Sequence, residues 1–116
     1  MAGRRVELAP LAAEIADRYF ARHPGDLERY GTDVARAWEV HDTLHILNWA
    51  IGDLEGFIVL DERVSWLADV LAARSFPLDH LADNLTLAAD VVEEHIPDGA
   101  PVAERLRAAA ALVSTR

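Results

Sequence analysis

The chain contains no cysteine, which excludes disulfides, thiolate nucleophiles, cysteine-ligated zinc and thioether-linked cofactors together. It also lacks any apolar run approaching the ~20 residues that a bilayer-spanning helix requires, so no membrane association is expected. Basic residues are few, eleven against twenty acids, and the formal net charge of −9 repels phosphate backbones and anionic lipid. Nucleic acid is therefore set aside as a partner. The opening MAGRR carries two arginines, but VELAPLAAEIADRY follows with acids at helical spacing where an apolar h-region would stand. No signal peptide is expected, and the expected location is cytoplasmic.

What is present is an apolar half: 52% of the 116 residues, enough for one hydrophobic core. Compact domains commonly run to roughly 100–150 residues, so residues 1–116 read as one domain. Apolar residues recur at spacings of three and four rather than two. Leu8, Leu11, Ile15 and Tyr19 form a first stripe that stops at HPGD, where Pro24 and Gly25 are strong breakers. Asp26 is then expected to cap a longer element with the stripe Val40, Leu44, Leu47, Ile51 and Leu54, which Gly31 is placed to split or bend. Phe57, Leu60, Val64, Leu67 and Leu71 mark a third helix, with Trp66 beside its stripe and assigned to the core. Ser75 as cap and Pro77 in the first turn open a fourth, aligning Leu78, Leu81, Leu85, Ala88 and Val92 before Pro97, Asp98 and Gly99 end it. Pro101 opens a fifth with Val102, Leu106, Ala109 and Val113. The expectation is an all-α fold of about five helices, packed as an antiparallel bundle or a truncated globin-like arrangement.

The central helix carries HDTLH, His41 to His45, two histidines four apart as in the zinc-protease signature H-E-x-x-H. On a helical wheel Val40, Leu44, Leu47, Ile51 and Leu54 form one edge. Trp38, His41, His45 and Trp49 form a second about 140° away, with Asn48 between them. The arc of Arg36, Glu39, Asp42, Thr43 and Asp53 reads as solvent-facing. A helix wet on only part of its circumference has two partners to meet, and tryptophan beside polar tips is the composition of interfaces and ligand pockets.

Zinc hydrolysis would need a glutamate base and a third ligand. Asp42 is a methylene short, and Glu55, Asp61 or Glu62 would have to reach back. An HD-type phosphohydrolase pairing His41 with Asp42, assisted by His23 and by Asp90 or Asp98, lacks a basic cluster for phosphate. A di-iron bundle wants repeated Glu-x-x-His, which is absent. A flat ligand suits the face better: Trp38 and Trp49 as walls and His41 or His45 as the polar anchor would hold haem or a bilin non-covalently. Otherwise the two imidazoles simply bond to backbone or to a neighbouring carboxylate. His23 and His95 read as cations in last helical turns, His80 as a surface histidine near Asp79 and Asp83, and Glu93 and Glu94 as a solvated face.

The run from Trp38, WEVHDTLHILNWAIGDLEGFIVLDERVSWLADVLAARSFPLDHLADNLTLAADVV, resembles the helical modules that precede cobalamin-binding domains in many actinobacterial regulatory proteins. The likeness lies in Asp42-x-x-His45, in Val64 to Leu81 and in the leucine-rich helix after it, spanning roughly residues 28 to 96. Haem-free, globin-like sensor domains of stress-signalling complexes are a more distant resemblance. Together they imply a non-catalytic sensory or regulatory domain that binds a small hydrophobic or tetrapyrrole ligand, or couples to a cobalamin-binding or signalling partner. The cobalamin signature D-x-H-x-x-G is not in the sequence.

The sequence-based expectation is thus a small sensor or regulatory module, a homodimer, whose Trp38, His41, His45, Asn48 and Trp49 contact the ligand or partner, with no catalytic or metal-ligating residue assigned. The alternatives are a small metal-dependent hydrolase using His41, Asp42 and His45, and a purely structural dimerisation domain.

Overall fold

The first stripe folds as its spacing predicts: Leu8–Arg22 forms α1 and buries Leu11, Ala12, Ile15, Ala16, Tyr19 and Phe20. The structure, a computed structural model, describes residues 7–116, so the MAGRR opening lies outside the described residues. Five further helices follow: α2 (Pro24–Tyr30), α3 (Thr32–Leu54), α4 (Leu60–Ala73), α5 (Leu78–His95) and α6 (Ala100–Ser114). The fold is all-α, with six helices rather than about five and no strand among the described residues.

The additional helix comes from Gly31, which adopts φ +86°, a backbone conformation that L side chains disfavour. It separates the seven-residue α2 from α3. Asp26, expected as a cap, sits inside the first turn of α2 with its residue only 6% exposed. Ser75 does not cap α5 either. It closes α4 at φ +59°, and α5 begins after Pro77 without a side-chain cap.

The buried apolar residues of α1, α3, α4, α5 and α6 form one cluster. α5 and α6 pack most extensively, and the short connector 96–99 makes them an antiparallel hairpin. Val102, Leu106, Ala109 and Val113 all point inward, as the fifth stripe predicts. Trp66, assigned to the core from sequence, is 60% exposed and faces outward from α4, and Phe57, at 82%, lies in the connector before that helix. Asp53, expected in solvent, ties three helices together. One carboxylate oxygen accepts from the Leu60 amide at 2.7 Å and the other from Arg105 Nε at 2.8 Å, so it caps α4 from the end of α3. The Leu60 amide, then Arg105, hold its carboxyl below the usual carboxylate range.

The hairpin turn is closed against Gly99. A Cβ there would lie 2.8 Å from Val92 Cγ1 and 2.9 Å from the Val92 carbonyl oxygen, and backbone cannot yield as a flexible side chain can. Gly99→Ala is expected to cost about 1–3 kcal/mol through forced opening of the α5–α6 hairpin. Gly25→Ala, with nothing within 4 Å of the new methyl, is expected to be neutral or to gain a few tenths of a kcal/mol. Urea melts of the two variants check the pair.

Candidate functional site

Rotation of α3 determines what the site is made of. Its buried residues are Ala35, Thr43, Ile46, Leu47 and Ala50, an arc whose centre also holds Glu39. Glu39 and Thr43 come from the arc that the wheel assigns to solvent and Leu47 from its apolar edge, so the core-facing direction is turned by roughly 90° from the sequence-based orientation. Val40, Leu44, Ile51 and Leu54 lie on one shoulder, half-buried. His41, His45 and Asn48 are on the outside, exposed. The physical reason is packing: α1 lies close along α3, and small residues such as Ala35 and Ala50 permit that approach where a leucine stripe would not.

Beside this arc α1, α2, α3, α4 and α5 enclose a cavity of about 330 Å³. Its aromatic side consists of Tyr30, Trp38 and Phe76, with the Tyr30 ring 6.2 Å from each of the other two centroids. Arg29 lies 5.0 Å over Tyr30. Apolar walls come from Phe20, Ile46, Leu67, Leu71 and Leu81.

Two polar constellations meet the cavity. In the first, Asn84 Nδ2 donates to Thr43 Oγ1 at 3.2 Å, and the Thr43 hydroxyl donates to Glu39 Oε2 at 3.1 Å. Thr43 is fully buried and Asn84 is 3% exposed. Burial pushes the Glu39 carboxyl up to about 8, reinforced by the neighbouring Asp42 and opposed by the Thr43 hydrogen bond and Arg36. In the second, Asp26 Oδ2 accepts from the Tyr19 hydroxyl and pairs with His80 Nδ1 at 3.0 Å. His80 stacks on His23 with centroids 3.9 Å apart, and His23 Nε2 meets Asp83 Oδ2 at 2.9 Å. Burial, then the hydrogen bond and charge of Asp26, push the Tyr19 hydroxyl far above its ordinary range. Two of the lining residues each hold a buried polar atom with no hydrogen-bond partner, Asn84 Oδ1 and the Tyr30 hydroxyl.

Of the residues that the sequence nominates, Trp38 and His41 line this cavity. Trp38 is a rim residue, 55% exposed. His45, Asn48 and Trp49 do not line it. His45 faces His41, with their Nε2 atoms 3.3 Å apart, and lies 5.9 Å from Trp49 in an outward strip of rings. Glu39, Thr43, Asn84, Tyr19, Asp26 and His80 were not nominated. The signal for Asn84 was there to read: a polar residue on the shoulder of the Leu81, Leu85 and Ala88 stripe needs a buried partner.

For metal chemistry, the one group of three potential ligands among the described residues is Glu14, Glu94 and His95, on the surface and away from HDTLH. Arg18 reaches Glu14 at 2.8 Å and Glu94 at 2.6 Å, and His95 reaches Glu14 at 2.9 Å, so protein cations account for these carboxylates. Asp42 Oδ1 lies 3.4 Å from His41 Nδ1. No described helix is long and apolar enough to cross a membrane.

No family model, no curated protein and no solved structure matches the chain.

Proposed function

We propose that the chain is a non-catalytic sensory binding module whose ligand is a compact amphipathic molecule seated in the cavity between α1, α2, α3 and α5. The observation that carries this reading is the pair of partnerless buried acceptor and hydroxyl groups, Asn84 Oδ1 and Tyr30 OH, beside an apolar and aromatic wall. Buried polar groups are ordinarily satisfied, and leaving one unpaired costs about 1–3 kcal/mol. A ligand that bonded them would recover that cost on binding. A mostly apolar cavity with a few convergent polar groups is also the usual form of a small-molecule site.

The volume of about 330 Å³ stands at the low end of the roughly 300–1,000 Å³ of such pockets. It speaks against haem or a bilin, since a macrocycle with its side chains would need the helices to part. A sensory role is supported by α2, a seven-residue helix from Pro24 to Tyr30 that Gly31 sets apart from α3. It supplies Asp26 and Tyr30 to the cavity, so an occupant would order α2 against α3 and change the surface offered to a partner.

The test is a small-fragment titration followed by ¹H–¹⁵N NMR. Saturable shifts are expected at the Trp38 indole and at the Asp26 and Tyr30 amides. Leu71→Trp, shown folded by its melting curve, places a larger side chain at a half-buried position of the lining and should weaken binding by at least about tenfold, or ~1.4 kcal/mol. Saturable shifts confined to His45 and Trp49, or none at all, would contradict the reading.

A further inference from the structure

We propose that the ligand is an organic cation, an amine on a flat or aliphatic body, whose ammonium donates to Glu39 and Asn84 beneath the Tyr30, Trp38 and Phe76 rings. This deepens the binding-module reading and rests on it.

Hydrogen-bond direction is the first support. Asn84 donates one N–H to Thr43, and Thr43 donates to Glu39. Two acceptors stay uncommitted: the second oxygen of Glu39 once the carboxyl is ionised, and Asn84 Oδ1, which is buried and has no partner. An ammonium carries three N–H donors and no acceptor, and meets both groups at once. A hydroxyl brings one donor, and a carboxylate brings none and faces Glu39 across the cavity.

Charge and shape point the same way. The lining has three carboxyl residues, Asp26, Glu39 and Asp42, against the single guanidinium of Arg74, which sits exposed at the end of α4. Aromatic faces attract a cation by about 0.5–2 kcal/mol depending on desolvation. The chain as a whole, at −9, draws cations toward it.

Binding is expected to release a proton. Burial keeps Glu39 neutral in the free protein near neutral pH, and a cation beside it favours the ionised form. Affinity for an amine therefore rises between about pH 6 and pH 8. The titratable and charged neighbours are Tyr19 on α1, Asp26 and Tyr30 on α2, Arg36, His41 and Asp42 on α3, Arg74 after α4 and His80 on α5. Glu39→Gln isolates the contribution of Glu39 from theirs.

Calorimetric titration at pH 7 with 2-phenylethylamine, 2-phenylethanol and 3-phenylpropionate tests the assignment, with the amine repeated in two buffers of different ionisation enthalpy. The amine should bind at least about tenfold more tightly than either analogue, ~1.4 kcal/mol, with buffer-dependent heat. Glu39→Gln, shown folded by its melting curve, should bring the three within about threefold and abolish the buffer dependence. An alcohol or acid that binds within tenfold of the amine overturns the cation assignment while the binding-module reading stands. If none of the three saturates, both fall.

Discussion

Glu39→Gln is expected to be more stable than the parent chain by about 2–4 kcal/mol at pH 8.5, and to differ from it little at pH 4. The unfolded chain titrates this carboxyl near 4.5, and the fold raises it to about 8 through burial. Between those values the folded protein keeps a proton that the unfolded chain has lost. The stability contributed by Glu39 is therefore fully present below about pH 4.5. It declines by up to about 1.4 kcal/mol per pH unit through the window, and is gone above about pH 8. Because Glu39 borders a cavity that water can enter, rather than a dry core, part of that slope is screened, which sets the range at about 2–4 kcal/mol. Glutamine accepts the Thr43 hydrogen bond without ever ionising. Urea melts of both proteins at pH 4, 6.5 and 8.5 measure the difference. A difference that does not change with pH would place Glu39 in solvent.

Asp26→Ala is expected to cost about 3 kcal/mol. Its residue is 6% exposed, and one carboxylate oxygen takes the Tyr19 hydroxyl and pairs with His80 Nδ1. Hydrogen bonds to a charged group contribute about 1.5–3 kcal/mol, and a buried donor left unmatched costs more than the bond itself contributed. Tyr19 is only 3% exposed, so its hydroxyl would lose its one protein partner in a buried position. Asp26→Asn keeps an acceptor and should lose about half as much. The double variant Tyr19→Phe with Asp26→Ala should be more stable than Asp26→Ala alone, since removing both partners removes the orphan. Denaturant melts of this cycle report the coupling. The loss also loosens α2, so amides 25–30 should exchange faster in Asp26→Ala.

The outcome at Glu39 explains why some of this molecule is legible in its sequence and some is not. α1, α5 and α6 carry a single stripe of large apolar residues, and each turns the stripe that its spacing marks inward, with Leu8 and Leu78 at the helix starts only partly buried. α3 carries its expected stripe on one shoulder, where only Leu47 is fully buried, and fills the centre of its buried arc with Ala35, Glu39, Thr43, Ile46 and Ala50. A wheel weighted by side-chain hydrophobicity is then drawn to the shoulder, because the small and polar residues at the centre of the arc add no weight to it. Trp66 misleads for the opposite reason: a large ring beside a stripe looks like core, and here it faces outward. The short α2 has too few turns to show a period, and only Gly31 announces it. Trp38 and His41, expected together on one face of the helix, both line the cavity. The acceptors between them and α5 depend on partners 41 residues apart, Thr43 and Asn84, which no local pattern encodes.

The central claim is that Glu39 lies inside, at the polar end of the cavity. The most direct measurement is a ¹³C-detected NMR titration of its side-chain carboxyl carbon in the ligand-free protein. A midpoint near pH 8 is the predicted result; a midpoint near 4.3, that of an ordinary solvated glutamate, would contradict the account.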